Sequence, residues 1–274
     1  MKAQAELPIG IFDSGIGGLT VVRQLQKVLP HEDIIYLGDT ARVPYGTKSA
    51  ATVIRHSLNA VHYLVRQRVK LVVVACNTAS ACALDALTES TPLPVVGAVG
   101  PAAREAVRRS RARRIGVMGT WGTIKSRAYE RAVEALAPGT HVMGWPCALL
   151  GPLAEEGIVE GDIAESVVRH YLIDLARKEP GLDTLLLACT YLPLFQDLIE
   201  RTANAIFSSP VALVDSASAV AHEVQDLLQH RELAADRAEG GDVQYAVTDL
   251  GRFEEAGSRI LGRSIQGVTT VDLG

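Results

Sequence analysis

The sequence predicts an α/β protein of mainly parallel sheet flanked by helices, in two series of elements that share a local pattern. Three observations predict it. Short apolar runs alternate with longer amphipathic ones along the chain, the pattern of βαβ units. Several runs, such as Leu71-Val-Val-Val-Ala75, are continuously apolar, as strands covered on both faces must be. One local string also occurs twice: Val72-Val-Val-Ala-Cys76-Asn-Thr78 and Leu185-Leu-Leu-Ala-Cys189-Thr190. At about 150 residues per domain, 274 residues suit two domains or one large one. The expected division is 1–99 with 214–274 as the first domain and 100–213 as the second.

The first series of elements opens with a strand at Pro8–Phe12, a glycine-rich turn and a helix from Gly18 to Leu29. Strands follow at Asp33–Leu37, Leu71–Ala75 and Pro94–Gly97, with helices at Ser49–Arg68 and Thr78–Glu89. The second series has strands at Arg114–Met118, His141–Trp145, Thr184–Ala188 and Val211–Val214. Its helices are Ile124–Leu136, Gly161–Lys178, Leu194–Thr202 and Ser218–His230. Arg231–Asp242 is charged and glycine-containing and reads as a surface loop. A strand at Val243–Thr248, a helix at Phe253–Leu261 and a strand near Val268–Val271 close the chain.

Composition removes several classes of function. With 48% hydrophobic and 21% charged residues the chain is an ordinary globular one. The net charge of −4 argues against a nucleic-acid binder. The arginine run Arg104 to Arg114 reads as a solvated helix whose last turn carries cations that suit the helix dipole. Met1-Lys2-Ala3-Gln4-Ala5-Glu6 has no apolar core of a signal peptide. The longest stretch without Asp, Glu, Lys or Arg, Ala135–Ala154, carries three prolines and three glycines and does not read as a membrane span. A cytoplasmic setting with reduced cysteines is expected.

The four cysteines are 76, 82, 147 and 189. No pair has CxxC spacing, and no His/Cys cluster reads as a zinc site. Cys82, inside a helix, and Cys147 read as small core residues. Cys76 and Cys189 each end an apolar strand and precede a helix, where open α/β sheets place their ligands. A helix N-terminus can also tune a thiol downward. Inversion at an α-carbon needs this pairing: one group removes a proton from one face, and a second delivers one to the other. The α-proton is much less acidic than a thiol, so such a site must also stabilise a carbanion with a dry pocket and preorganised donors. Asn77, Thr78 and Thr190 are the nearby donors, although Asn77-Thr78 also suits a helix cap.

Asp13-Ser14-Gly15-Ile16-Gly17-Gly18-Leu19-Thr20 follows a strand and opens a helix, like a dinucleotide fingerprint, and Asp39 ends the next strand where a ribose-binding acid would lie. The third glycine is Thr20, so the match is incomplete. Asp13 at a strand end suits a carboxylate assisting a nearby thiol. Pro44-Tyr45-Gly46 reads as a loop walling the pocket.

Taken together, Gly10–Thr20, Gly38-Asp39-Thr40, Pro44-Tyr45-Gly46, Ala75–Ala79, Gly119-Thr120 with Gly122-Thr123, Pro152–Gly157 and Cys189-Thr190 with Pro193-Leu194 are specific. With them the chain resembles the glutamate racemases of the aspartate/glutamate racemase superfamily. The resemblance implies two pseudo-symmetric α/β domains, each a mainly parallel sheet flanked by helices, with glutamate in the cleft between them and with no pyridoxal phosphate and no metal. It implies that Cys76 takes the proton from D-glutamate and Cys189 from L-glutamate, with Asp13 supporting Cys76. It implies that Asp13, Ser14, Tyr45, Gly46, Asn77, Thr78 and Thr190 meet the substrate. Thr120, Thr123 and Glu155 match positions on the second side of the pocket, and Glu155 joins the catalytic set. It further implies a bacterial homodimer making D-glutamate for peptidoglycan.

Tyr191 departs from the family, which carries histidine there. A phenol with a pKa of about 10 donates a hydrogen bond but is a poor base at neutral pH. Activation of Cys189, and so the rate, is expected to suffer. Three rivals remain at this stage: an aspartate-type racemase; a non-catalytic relative binding a partner such as DNA gyrase through the arginine run; and a dinucleotide-binding oxidoreductase.

Overall fold

The computed structural model describes residues 2–237 and 239–274. In chain order the first elements are α1 (Lys2–Ala5), β1 (Ile9–Asp13), α2 (Leu19–Val28), β2 (Ile34–Gly38), α3 (Ala50–Arg66), β3 (Leu71–Val74), α4 (Asn77–Glu89), β4 (Val95–Gly97) and α5 (Val99–Arg109). There follow β5 (Arg114–Gly119), α6 (Trp121–Ser126), α7 (Ala128–Leu136), β6 (His141–Pro146), α8 (Leu150–Glu155), α9 (Gly161–Lys178), β7 (Thr184–Ala188), α10 (Gln196–Ile206) and β8 (Ala212–Asp215). The chain closes with α11 (Ser216–His230), β9 (Val243–Val247), α12 (Phe253–Leu261) and β10 (Thr269–Thr270).

These strands make two sheets. One has six strands in the order β10-β9-β2-β1-β3-β4, the other four in the order β6-β5-β7-β8. Every pairing is parallel. The expected α/β class with two helix-flanked parallel sheets is therefore the observed one. The apolar strands explain it: β1, β2, β3 and β7 are buried at every residue, which only helices on both faces achieve. Each sheet accordingly has two apolar layers, one per face. The chain leaves the six-stranded half along α5 and returns along α11, and these helices pack on each other.

Three departures from the sequence reading have local causes. The single helix expected at Ile124–Leu136 is two helices, broken at Arg127, whose φ is 55°. Ser126 makes the break: its hydroxyl donates to the Thr123 carbonyl at 2.6 Å and accepts from the Ala128 amide at 3.1 Å, in competition with the helix ladder. The short α8 has no counterpart in the sequence reading: Gly151 and Pro152 are poor helix formers, yet Pro152 lies in the first turn, where no intrahelical donor is needed. The run Arg104–Arg114 spans the end of α5, a turn and the start of β5. Arg104 pairs with Glu223, Arg108 and Arg109 with Glu105, and Arg114 with Glu179. Most of its charge is thus met within the chain.

One buried cation fastens the far end of the six-stranded half. Lys70 is fully buried, pairs with Glu32, and donates to the carbonyls of Ala5 at 2.6 Å and Leu233 at 2.9 Å. It thereby ties the N-terminal segment and the 231–237 segment to the base of the sheet.

Candidate active site

The C-terminal ends of β1, β3, β5 and β7 converge on one cavity of about 290 Å³ between the two halves. That is close to the lower end of the roughly 300–1,000 Å³ usual for ligand pockets, a size for an amino acid rather than a dinucleotide. Cys76 and Cys189 both line it. Cys76 follows β3 and stands at the N-cap of α4; its thiol donates to Ser14 Oγ at 3.3 Å. Cys189 follows β7 and opens partly onto the cavity. Burial pushes the Cys76 thiol up to about 11, with the negative charge of Asp13 adding to the effect. Burial likewise pushes Cys189 up to about 12, against backbone amides of Tyr191 and Leu192 that favour its thiolate. Burial thus disfavours both thiolates, and a cation close by, such as a substrate ammonium, offsets that penalty.

Asp13 lies just behind the cavity wall. Its Oδ2 accepts from the Gly15 amide at 3.0 Å, while Oδ1 is buried without a partner. Burial raises its carboxyl to about 6, despite the amides of Gly18, Gly15 and Ser14. It is mostly ionised at pH 7, beside the Cys76 thiol.

Several polar residues close the cleft from both sides. Thr78 from α4, Thr120 at the N-cap of α6 and Thr123 in its first turn form a triangle of hydroxyls with sides of 2.8, 3.0 and 3.1 Å. Thr123 stands behind the wall and reaches the cavity only through the other two. Asn77 accepts from the Tyr129 hydroxyl and donates to Ser216 Oγ at 3.3 Å, leaving one amide proton uncommitted. On the other flank, Thr20 Oγ1 donates to the Thr190 carbonyl at 2.9 Å.

The glycine-rich turn after β1 serves this closure. A Cβ at Gly17 would run into the Thr190 side chain. The glycine is required by close approach of the two halves, not by a pyrophosphate, so the dinucleotide reading has no structural basis here. Gly46 is a second such position: a Cβ there would lie 2.5 Å from Thr120 Cβ. Tyr45, beside it in the cavity wall, is 1% exposed, and its hydroxyl turns away to Asp39. What this loop can offer a ligand is therefore backbone.

Tyr191 lines the cavity and its hydroxyl donates to Glu155 Oε1 at 2.5 Å. Burial and the Glu155 carboxylate push the phenol far above its ordinary range. Its proton stays on the oxygen and is aimed at Glu155. Sequence reasoning missed three features. Cys147, read as core, is indeed buried but also reaches the cavity wall. Trp121, an exposed indole at the cavity mouth, had no signal beyond its place between Thr120 and Gly122. Tyr129, the partner of Asn77, could not be found without the helix break that turns it inward.

Two parallel-sheet halves, each bringing a strand-end thiol to one small polar cleft, define the class: an α/β protein with paired cavity thiols. The family model for Asp/Glu/Hydantoin racemase matches residues 19–224. A glutamate racemase of Geobacter metallireducens is 47% identical over 266 residues, covering 97% of this chain and 96% of that one. The glutamate racemase of Francisella tularensis, solved with D-glutamate, superposes with a TM-score of 0.89 at 34% identity, covering 98% of each chain. That of Thermus thermophilus, solved with beta-chloro-D-alanine, gives 0.87 at 39% identity, again covering 98% of each. The chain belongs to the Asp/Glu/Hydantoin racemase family.

Proposed function

We propose that the protein interconverts L- and D-glutamate by a two-thiol mechanism. The observation that carries this is the placement of Cys76 and Cys189, one from each half, on the wall of one cavity of amino-acid size. The 47% identity to a glutamate racemase favours glutamate over aspartate as the substrate.

The substrate carboxylates meet the Thr78, Thr120 and Thr190 hydroxyls, the free Asn77 amide proton, Ser14 and the Tyr45–Gly46 backbone. The ammonium lies near the thiol that is to ionise and lowers its pKa. With D-glutamate, the Cys76 thiolate takes the α-proton. The electron pair stays on carbon as a carbanion held by the donors around the carboxylate, and the Cys189 thiol delivers a proton to the opposite face. With L-glutamate the roles exchange. Asp13, ionised at neutral pH, supports the proton movement at Cys76.

The second thiol is served differently. Tyr191 stands where the family carries an assisting histidine, and the phenol's proton is committed to Glu155. A phenol held neutral is a poor base, so the Cys189 half of the cycle is slow. The two enantiomers have equal free energy, so kcat/KM falls equally in both directions and the asymmetry shows in isotope exchange. In heavy water D-glutamate exchanges its α-proton through Cys76 faster than it inverts. Inversion as fast as exchange refutes the asymmetry.

The same reading takes the protein to be a cytoplasmic homodimer supplying D-glutamate for peptidoglycan. Among the described residues no helix is long and apolar enough to cross a membrane. The direct test is circular dichroism of purified protein with L- or D-glutamate, and separately aspartate, without added cofactor. Loss of optical signal with glutamate alone is expected; loss with aspartate alone, or with neither, overturns the assignment.

A further inference from the structure

Asp39 directly follows β2, the strand beside β1, and its amide donates to the Asp13 carbonyl at 2.9 Å. Its side chain is completely buried and does not line the cavity. An acid at this place in a dinucleotide fold would face a ribose. Here both oxygens face protein. Oδ2 accepts from the Tyr45 hydroxyl at 2.6 Å, Oδ1 accepts from Thr248 Oγ1 at 3.0 Å, and Arg42 Nη1 is 3.5 Å from Oδ1. Thr248 Oγ1 also accepts from the Ala41 amide at 2.9 Å, and Thr40 Oγ1 from the Asp249 amide at 2.8 Å. The segment from Asp39 to Thr47 is thus stitched to the end of β9 from below, with the carboxylate at its centre.

The upper side of the same segment is the cavity wall. Tyr45 and Gly46 line it, and Gly46 abuts Thr120 of the opposite half. The Tyr45 ring cannot shift to make up a loss: it is packed with its centroid 6.1 Å from that of Phe12 and 6.0 Å from that of His56. The Tyr45–Asp39 hydrogen bond is thus a buried anchor directly behind the Tyr45–Gly46 backbone at the cavity wall. That bond joins two buried groups, and removing one partner leaves the other unsatisfied.

We propose that Asp39 is a positioning residue of this active site: through the Tyr45 hydroxyl it fixes the Tyr45–Gly46 backbone against the substrate, and so the height of the α-carbon between the two thiols. The inference rests on the racemase reading. Asp39 touches no reacting atom. The connection that carries its effect on the cavity wall is the one to Tyr45, and that sets the test.

Compare the parent with Asp39→Ala, Tyr45→Phe, the double variant and Asp39→Asn, measuring glutamate kcat and KM, α-deuterium exchange against inversion in heavy water, and urea unfolding. Asp39→Ala and Tyr45→Phe are each expected to lower kcat/KM by up to about a hundredfold, the cost of misplacing a reacting centre by around an ångström. The double variant falls no further than Asp39→Ala, because both remove one connection. Asp39→Asn recovers most of the activity: its carbonyl accepts from Tyr45, and its amide donates to Thr248, whose hydroxyl can turn to accept. The ratio of exchange to inversion shifts in the two impaired single variants, since a displaced α-carbon meets one thiol better than the other. Losses that add in the double variant, or an unchanged ratio with activity tracking only the folded fraction, overturn the assignment while leaving the racemase reading standing. A parent chain inert toward glutamate refutes both.

Discussion

Replacing Asp13 with Asn separates what this carboxylate costs from what it does. Burial lifts its carboxyl from an ordinary 3.8 to about 6, and one of its oxygens has no partner. The folded protein therefore holds a carboxylate above pH 6 that the unfolded chain holds with less strain. A rise of about two pH units, at about 1.4 kcal/mol each, comes to roughly 3 kcal/mol. The sign follows from linkage: the folded-state pKa is raised, so the penalty is complete above about 6 and fades as pH falls toward 3.8, where the group is neutral in both states. Asparagine never ionises, and any fixed cost of its amide is the same at every pH. The unfolding free energy of Asp13→Asn minus that of the parent should then grow by roughly 2–3 kcal/mol from pH 4 to pH 7. Urea unfolding followed by far-UV circular dichroism at several pH values measures it. Parallel curves for the two proteins would refute the account of Asp13 as a carboxylate strained by burial. The same variant should lose most of its turnover, a stability gained where function needs a strained group.

Other substitutions probe the remaining parts. Tyr191→His restores a group able to accept a proton beside Cys189 and should raise glutamate turnover by on the order of tenfold or more, read from initial rates; an unchanged rate means that Tyr191 does not limit the enzyme. Gly46→Ala puts a methyl group 2.5 Å from Thr120 Cβ, so the cleft cannot close, and kcat/KM should drop by about a hundredfold while the urea midpoint moves little. Lys70→Ala strands the buried Glu32 and should cost about 3–5 kcal/mol of stability without altering KM in the folded fraction.

Much of this architecture was legible in the sequence, because the apolar runs of β1, β3 and β7 admit no other covering than helices on both faces. The two cysteines were legible for the same reason: Ala75-Cys76 and Ala188-Cys189 each end such a run. What escaped was set by contacts between residues far apart in the chain. The hydroxyl triangle of Thr78, Thr120 and Thr123 and the Tyr129–Asn77 bond exist only once the halves meet. The break at Arg127 depends on a serine hydroxyl choosing local partners over the helix ladder, which periodicity does not reveal. Asp39 invited a ribose-binding reading from its place after β2; its direction, inward to Tyr45 and Thr248, is a tertiary fact. Tyr191 was visible as a departure, while its commitment to Glu155 needed α8, a helix hidden by Gly151 and Pro152.

Splitting the reaction in two tests the paired-thiol mechanism most directly. In heavy water, Cys189→Ser should still wash deuterium into the α-position of D-glutamate through Cys76 while forming almost no L-glutamate, and Cys76→Ser should do the converse with the L-enantiomer. Proton NMR of the α-position together with chiral chromatography reads both outcomes. A single-cysteine variant that inverts glutamate at the parent's rate, or one that exchanges both enantiomers alike, would contradict the mechanism.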